Sequence, residues 1–241
     1  VENGSIKKNT FTYYEKLCSR WQDVKVVRWK GEFNYSAVNN YGVSHAAGAY
    51  VLLLNNDTEL IAPDALGEML GICMRSEVGA VGAKLLYKNG TVQHAGVVIG
   101  FDRYAMHVFH GIGREDYGFM MRARVNCNYS AVTGACLMTR RSVFEEVGGL
   151  TESLAVAAND VDYCLKVRER GYLVVYSAYA QWYHYESKTR GYEDTPEKVA
   201  RYEREKDWFR ERWADILRDG DPYYNRNFTL DTVPFMLEGY Q

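Results

Sequence analysis

The sequence has few prolines, no long apolar run and no excess of charge of one sign. There are four prolines in 241 residues, and 29 Lys and Arg residues against 31 Asp and Glu residues give a net charge of −2. This balance provides neither a nucleic-acid surface nor a polybasic membrane anchor, so we expect no nucleic-acid partner. No apolar run approaches the roughly 18 residues of a membrane-spanning helix.

The cysteines also lack the pattern of a structural framework. There are five of them, and no two are spaced as C-x-x-C. A disulfide framework or a zinc ribbon is therefore not expected. Because disulfides form in oxidising compartments, buried and reduced thiols are typical of a cytoplasmic protein. We expect a cytoplasmic location, and peripheral attachment to the inner face of the membrane stays open.

Strand and helix patterns alternate along the chain. The apolar run at 49–54 is typical of a strand buried on both faces. Strands are predicted at 24–29, 49–54, 80–86, 92–99, 131–139 and 172–177, and helices at 11–18, 35–47, 63–73, 160–170 and 195–217. This alternation predicts an α/β fold with a mainly parallel central sheet flanked by helices. No linker or repeat interrupts it, so we expect one domain over 1–241, with a C-terminal helix and an aromatic tail at 190–241.

A polar run, Asn-Asn-Asp-Thr-Glu at 55–59, follows the buried strand at 49–54. Ligands of open α/β sheets bind beyond the carboxyl ends of the strands. A carboxylate such as Asp57, flanked by amides, suits Mg²⁺ or Mn²⁺ with oxygen ligands and substrate phosphates. The alternative is a solvated turn whose Asn and Asp side chains cap the next helix.

Two acids stand at the start of the predicted helix at 160–170. Asp160 and Asp162 are two residues apart, so they point in different directions. One can face a cleft and act as a general base on a hydroxyl, while the other interacts with the helix start. The alternative is that both belong to ordinary N-terminal capping.

His184 follows a strand and alternates with aromatic residues. It could be a metal ligand or a phosphate partner, or a hydrogen-bonded and partly buried histidine. Aromatic residues, including Trp182, are concentrated in this last part of the chain. Flat rings beside polar groups suit sugars, although packing of the last helix on the sheet accounts for most of them.

Five segments in this order resemble the family 2 glycosyltransferases of the GT-A fold. They are Val-Glu-Asn-Gly-Ser at 1–5, Asn-Asn-Asp-Thr-Glu at 55–59, Thr-Gly-Ala-Cys-Leu-Met-Thr-Arg at 133–140, Asn-Asp-Val-Asp-Tyr-Cys-Leu-Lys at 159–166 and His-Tyr-Glu-Ser at 184–187. The likeness covers nearly the whole chain, and Asp-Pro-Tyr-Tyr-Asn at 221–225 resembles bacterial members that act on surface polysaccharides.

The resemblance implies an inverting transfer of a sugar from a nucleotide-diphosphate sugar to a hydroxyl of a glycan or lipid-linked glycan acceptor. Asp57 matches the last acid of the family's D-x-D motif, with Asn55 in place of the first Asp, and would bind Mg²⁺ or Mn²⁺. His184 matches a position that in some members completes the metal or diphosphate site. Asp160 matches the catalytic base, and Asn159 replaces the Glu that usually precedes it.

The resemblance also assigns residues to the two substrates. The donor would be contacted by Glu2, Asn3, Asn55, Asn56 and Thr58. The acceptor or the transferred sugar would be contacted by Thr133, Gly134, Ala135, Asn159 and Asp162. Trp182 is a further candidate for sugar contact, on the chemistry of its ring rather than on the resemblance. For Asp162, a role in the structure of the helix start is the alternative.

The family has an earlier strand, loop and helix that form one wall of the nucleotide pocket. Here the first residues match the end of the second strand, so we expect a GT-A domain that is truncated at its N-terminus. Weak binding of nucleotide sugar and self-association through the exposed sheet edge are the expected consequences.

Two other functions stay open at this point. One is a catalytically incompetent fragment or degenerate relative that binds carbohydrate or nucleotide, although the retained Asp57 and Asp160 argue against degeneration. The other is a sugar nucleotidyltransferase, which needs a Gly-rich phosphate loop near the start of the domain and does not fit the later motifs.

Overall fold

The computed structural model describes residues 1–185, 195–231 and 233–237. Within them are the helices α1 (Lys8–Arg20), α2 (Tyr35–His45), α3 (Ala65–Cys73), α4 (Arg141–Glu146), α5 (Asn159–Glu169), α6 (Pro196–Arg212) and α7 (Ala214–Asp219). The strands are β1 (Tyr50–Leu54), β2 (Thr58–Leu60), β3 (Val78–Leu86), β4 (Val92–His94), β5 (Val97–Ile99), β6 (Ala105–His107), β7 (Cys127–Tyr129), β8 (Cys136–Arg140) and β9 (Leu173–His184). Helices and strands alternate through this part of the chain, as the sequence predicts.

Most of the strands belong to one mixed sheet. Its central path runs β1–β8–β3–β9–β2, with β4 added to β3 and β7 added to β9. β3 and β9 are parallel, and β8 is antiparallel to both β1 and β3. β1, β3 and β9 therefore run in the same direction, which confirms the mostly parallel centre of the predicted sheet. The outer pairings of β2, β4 and β7 are antiparallel.

Helices cover both faces of this sheet. On one face, Met69 of α3 belongs to a buried cluster with Val81 of β3. On the other face, Cys164 of α5 and Phe209 of α6 belong to a second cluster, with Ala80 of β3. Successive side chains of a strand point to opposite faces, so the neighbours Ala80 and Val81 separate the two clusters. All of β3 is buried, as expected for a strand covered on both sides.

The N-terminal segment, residues 1–34, contains one helix, α1, and no named strand. The strand predicted at 24–29 is wrong, because only an isolated parallel bridge joins Glu2 to Arg28. No residue of α1 is buried. Without a neighbouring strand to pair with, the β-branched residues at 24–29 have no ladder to join, since strand propensity is expressed through cross-strand packing.

Three other predicted boundaries also differ from the structure. The strand predicted at 92–99 is divided into β4 and β5 at Gly96, whose φ of +112° favours glycine. The strand predicted at 131–139 begins only at β8, because 131–135 form a loop. The final helix is two helices that meet at Trp213, although its predicted start is confirmed by Thr195, which accepts a hydrogen bond from the N–H of Lys198 at 3.4 Å.

β1 stands at one end of the sheet path within the described residues. Self-association through this edge stays a prediction. None of the helices in the described ranges is long and apolar enough to cross a membrane.

Candidate active site

The polar run after β1 meets the end of β9. The chain turns at 55–57 and returns as β2, which pairs with β9 so that Thr58 stands opposite His184. This pairing brings Oδ1 of Asp57 to 3.3 Å from Nε2 of His184. The two side chains are only 16% and 11% exposed. Two potential metal ligands that are far apart in the sequence are therefore neighbours in the fold.

His184 contacts two amides as well. Its Nδ1 lies 2.6 Å from Oε1 of Gln93, a buried residue of β4, and its Nε2 lies 3.3 Å from Nδ2 of Asn55. The N–H of Asn55 donates to the carbonyl of Ala135 at 2.9 Å. Sequence reasoning missed Gln93, because a glutamine inside an apolar strand has no motif around it.

The Asp57–His184 pair fits a divalent cation. Two ligands in neighbouring positions of an octahedral ion, each about 2.1 Å from it, are about 3 Å apart, close to the separation found here. A carboxylate and an imidazole suit Mn²⁺, and a carboxylate alone suits Mg²⁺. The described residues contain no group of three or more His, Cys, Asp or Glu side chains able to hold a metal.

Asp160 lies in the first turn of α5, beside the loop at 133–135. Its Oδ2 accepts the N–H of Gly134 at 2.8 Å, and its Oδ1 accepts the N–H of Val161 at 2.8 Å. These two hydrogen bonds fix the orientation of the carboxylate. The side chain is only partly buried. Asp160 is thus held in place by the backbone while remaining open to a ligand.

Tyr35 supports the same loop from the opposite side. Its hydroxyl donates to the carbonyl of Gly134 at 2.7 Å. Burial, with a smaller effect of the Asp160 carboxylate, raises the pKa of Tyr35 far above its usual value. The hydroxyl therefore stays protonated and keeps this hydrogen bond at any physiological pH.

The segment before α5 is fixed by a buried carboxylate from α6. Glu205 accepts the backbone N–H groups of Ala155, Val156 and Ala157 at 2.5 to 3.3 Å. Ala158, which follows, has a left-handed φ of +60°. A non-glycine residue in this region costs free energy and persists only where the surroundings impose it. The position of Asp160 is therefore imposed by α6 as well as by α5.

His94 contacts both Thr133 and His107. Nε2 of His94 accepts the N–H of Thr133 at 3.4 Å, and its Nδ1 lies 3.3 Å from Nδ1 of His107. Burial, and then His107 and His184, lower the pKa of His94 well below its usual value. A neutral His94 can accept from Thr133, which a charged one could not.

The two halves of the site are adjacent. In the β1–β8 ladder Leu54 stands opposite Cys136, so the turn at 55–57 lies next to the loop at 133–135. Asp57 and His184 are on one side of this junction, and Asp160 is on the other. The structure thus brings together Asn55, Asp57, Thr133, Gly134, Ala135, Asp160 and His184 from the predicted set.

Other predicted residues have mainly internal contacts. Asp162 is fully buried and accepts hydrogen bonds from Thr151 and Trp213. These contacts agree with the predicted role in the structure of the helix start and leave no surface for contact with an acceptor. Asn159 is buried and donates to the carbonyl of Val156 at 2.9 Å. Trp182 is 3% exposed, in the core cluster between α3 and the sheet, and so is not placed to stack on a sugar ring.

The residues predicted to contact the sugar donor lie in two regions, the turn after β1 and the N-terminal segment. Thr58 donates to the carbonyl of Asn55 at 2.8 Å, and Asn56 is exposed beside it. Glu2 and Asn3 instead contact their own segment: Glu2 accepts from the N–H of Ser5 and Asn3 donates to the carbonyl of Gly31. Glu186 and Ser187 of the predicted motif at 184–187 lie outside the described residues.

A cavity of about 690 Å³ opens beside His184. It is lined by Tyr87, Gln93, Ala105, Met106, His107, His110, Thr133, His184, Val233 and Pro234. Its wall combines imidazole, amide and hydroxyl groups with apolar side chains. This mixture, at this volume, is typical of a small-molecule site.

Comparison with known proteins assigns the chain. The sequence model described as "Glycosyl transferase family 2" matches residues 1–148. The chain belongs to glycosyl transferase family 2. The resemblance drawn from the five segments is therefore confirmed.

Two curated relatives of this family 2 domain come from bacteria. It is 46% identical over 239 residues to "Uncharacterized protein y4gI" of Sinorhizobium fredii and 38% identical over 238 residues to "O-antigen biosynthesis protein RfbC" of Myxococcus xanthus. These alignments cover 98% and 95% of the chain. The chain spans only 26% and 18% of the length of these relatives, which are much longer proteins.

Solved glycosyltransferases share the fold. GalNAc-T7, solved with UDP, GalNAc and Mn²⁺, matches 90% of this chain and 41% of its own, with a TM-score of 0.68 at 13% identity. Mannosyltransferase PcManGT of Pyrobaculum calidifontis, in complex with GDP-Man and Mn²⁺, matches 86% of this chain and 52% of its own, with a TM-score of 0.57 at 17% identity. The family 2 domain therefore has the GT-A fold.

Proposed function

We propose that this domain is an inverting glycosyltransferase that uses a divalent cation and moves a sugar from a nucleotide-diphosphate sugar to a hydroxyl of a glycan. The observation that carries the proposal is the junction of β1 and β8. It sets the Asp57–His184 pair beside the loop that holds Asp160. Metal ligands and a carboxylate base are the two groups that such a transfer requires.

Asp57 and His184 would hold Mg²⁺ or Mn²⁺ through Oδ1 and Nε2. When bound, the cation neutralises charge on the diphosphate leaving group. GalNAc-T7 and PcManGT were solved with Mn²⁺ and a nucleotide or nucleotide sugar, which supports this assignment. Asn55, Asn56 and Thr58 would contact the donor beside the cation, with Glu2 and Asn3 as further donor contacts.

Asp160 would act as the general base. The acceptor oxygen forms the new bond to the anomeric carbon while the bond from that carbon to the diphosphate breaks, and the hydroxyl proton passes to the Asp160 carboxylate. Attack from the face opposite the diphosphate inverts the anomeric configuration. The N–H groups of Gly134 and Val161 hold the carboxylate in position for this step. Thr133, Gly134 and Ala135 would lie beneath the reacting sugar.

The Myxococcus relative is an O-antigen biosynthesis protein, which supports a role in surface-polysaccharide synthesis. The acceptor would then be a glycan or a lipid-linked glycan. A cytoplasmic location, at or near the inner face of the membrane, would give access to such an acceptor. Self-association through β1 is a separate proposal and does not enter the chemistry.

The test measures release of nucleoside diphosphate from a panel of UDP-, GDP- and dTDP-sugars, with MnCl₂ and extracted surface glycans. We expect release that depends on glycan and is abolished by EDTA, and a product whose anomeric configuration, read by NMR, is inverted. A retained configuration would exclude the inverting mechanism. Binding of Mn²⁺ and nucleotide without any turnover by wild type would favour the catalytically incompetent relative instead.

A further inference from the structure

Gln93 and His184 form a short contact across β3. β3 lies between β4 and β9, and its Leu86 pairs with Val92 on one side and Tyr183 on the other. The next residues along these two strands are Gln93 and His184. The Gln93 amide is 5% exposed, and its Oε1 lies 2.6 Å from Nδ1 of His184.

This contact decides which ring nitrogen of His184 carries the hydrogen. A neutral imidazole has one N–H, and an amide oxygen can only accept. Nδ1 must therefore be the donor to Gln93, and Nε2 is left with a lone pair. Nε2 lies 3.3 Å from Oδ1 of Asp57 and 3.3 Å from Nδ2 of Asn55, which can donate to the lone pair until a cation replaces it.

We propose that Gln93 is a positioning residue that keeps the hydrogen off Nε2 of His184, so that the lone pair of this nitrogen can bind the divalent cation. The inference rests on the proposed function, because it concerns the same cation. Histidines that bind metals usually donate their other N–H to an oxygen, which fixes the tautomer and the ring orientation. In this domain the oxygen belongs to a residue far from the metal motif in the sequence.

The opposite tautomer would close the site. With the hydrogen on Nε2, His184 would donate it to Oδ1 of Asp57, and both proposed ligand atoms would be occupied by each other. A cation would have to break that hydrogen bond before binding. Gln93 prevents this pairing by holding the hydrogen on Nδ1.

The experiment compares three variants with wild type. Gln93→Met has a side chain of similar length but no acceptor for the His184 N–H. Gln93→Glu keeps an oxygen acceptor at the same position. Gln181→Met is the matched control, because Gln181 lies in the same strand as His184 but bonds with Arg114 and the carbonyl of Ala178. Circular dichroism verifies that each variant folds.

Two measurements are made on these proteins. The first is the ring ¹⁵N spectrum of His184 in metal-free protein, which distinguishes the tautomers. The second is Mn²⁺ affinity by electron paramagnetic resonance in the presence of UDP or GDP. We expect the Nδ1–H tautomer in wild type, Gln93→Glu and Gln181→Met. In Gln93→Met we expect a shift toward Nε2–H and an affinity for Mn²⁺ that is about 10- to 100-fold weaker.

An Nε2–H tautomer in wild type would overturn the proposal without any variant. So would a Gln93→Met protein with the tautomer and Mn²⁺ affinity of wild type. If wild type binds no Mn²⁺ with either nucleotide, the proposed metal site fails. In that case the tautomer spectrum still decides whether Gln93 orients His184.

Discussion

Asp160 and Asp162 stand two residues apart in the first turn of α5, in two different environments. Asp160 is partly exposed and accepts two backbone N–H groups. Asp162 is fully buried: its Oδ2 accepts from the Thr151 hydroxyl at 2.6 Å and its Oδ1 from Nε1 of Trp213 at 3.0 Å. Nζ of Lys166 lies 3.3 Å from Oδ2 of Asp162.

Asp160 is therefore accessible to a ligand, whereas Asp162 is enclosed by its hydrogen-bond partners in the core. Backbone N–H groups hold Asp160 without covering it, so an acceptor hydroxyl can still reach it. Asp162 is surrounded by side chains that use both of its oxygens. A buried charge of this kind is tolerated because it is paired and hydrogen-bonded. The spacing of two residues at the start of a helix is sufficient to produce the contrast, and each of the following variants tests one side of it.

Replacing Asp160 by Asn tests the chemical side. The amide cannot take the acceptor proton, so we expect the rate of glycosyl transfer to fall by about 10²- to 10⁴-fold. Its oxygen can still accept a backbone N–H, so the fold should be retained. Initial rates of nucleoside diphosphate release give the effect, with Mn²⁺ and nucleotide binding as the control. Wild-type turnover by this variant would remove the assignment of the base.

Replacing Asp162 by Ala tests the structural side. The change removes the acceptor of two hydrogen bonds to a buried carboxylate, from the Thr151 hydroxyl and from Nε1 of the buried Trp213. Because hydrogen bonds to charged groups are the strong ones, we expect a loss of about 3 to 5 kcal/mol in the free energy of unfolding. Urea denaturation followed by fluorescence provides the measurement. The matched variant, Asp160→Ala, should lose less, because Asp160 is only partly buried and its partners are neutral backbone N–H groups. Equal losses at the two positions would contradict the contrast.

Gly134→Ala perturbs Asp160 without changing its chemistry. A Cβ at this position would lie 2.9 Å from the Tyr35 hydroxyl oxygen and 3.2 Å from Cβ of Asp160. Crowding of this kind costs about 1 to 3 kcal/mol of stability. A displacement of the base by up to 1 Å costs up to about 100-fold in rate, so we expect kcat to fall while Mn²⁺ binding is retained.

Gly67→Ala is the control for this substitution. Gly67 lies in α3, where an added Cβ meets no atom within 4 Å. We expect a neutral to slightly stabilising effect, because alanine favours helix more than glycine does. If both glycine variants lower the rate to the same extent, crowding at Asp160 is not the cause.

The smallest expected effect is that of Trp213→Phe. The change removes the indole N–H that donates to Asp162 and retains most of the ring packing. We expect a loss of about 1 to 2 kcal/mol in the free energy of unfolding and no change in kcat. If the folded variant had a lower kcat than wild type, the contacts of Asp162 would also affect the rate of glycosyl transfer.

The sequence predicts the parts of the site that depend on local pattern. The end of β1 at Leu54 and the start of α5 follow from apolar runs that stop at polar residues, and both place candidate acids correctly at the ends of elements. Pairing between distant segments was not predictable in the same way. The meeting of Asp57 with His184 depends on the β2–β9 ladder, whose register no local pattern encodes.

The sequence also does not predict which polar and aromatic side chains are buried. Trp182 was a candidate for sugar contact, because a ring beside polar residues is equally consistent with a core and with a binding site. Glu205 and Gln93 gave no signal, because each acts on a partner that only the folded chain brings close. Glu205 lies in a helix whose sequence pattern is mostly charged and typical of a solvent-exposed helix. Gln93 lies in a strand whose other residues are mostly apolar.

The hydrogen bond from the N–H of Asn55 to the carbonyl of Ala135 continues the β1–β8 ladder past the last paired residues. The turn that bears Asp57 and the loop that holds Asp160 are therefore both extensions of the same pair of strands. Their dipoles are fixed by the sheet before any substrate arrives. If the proposed transfer takes place between them, little reorganisation energy is required when charge develops, because the surrounding dipoles are already in place.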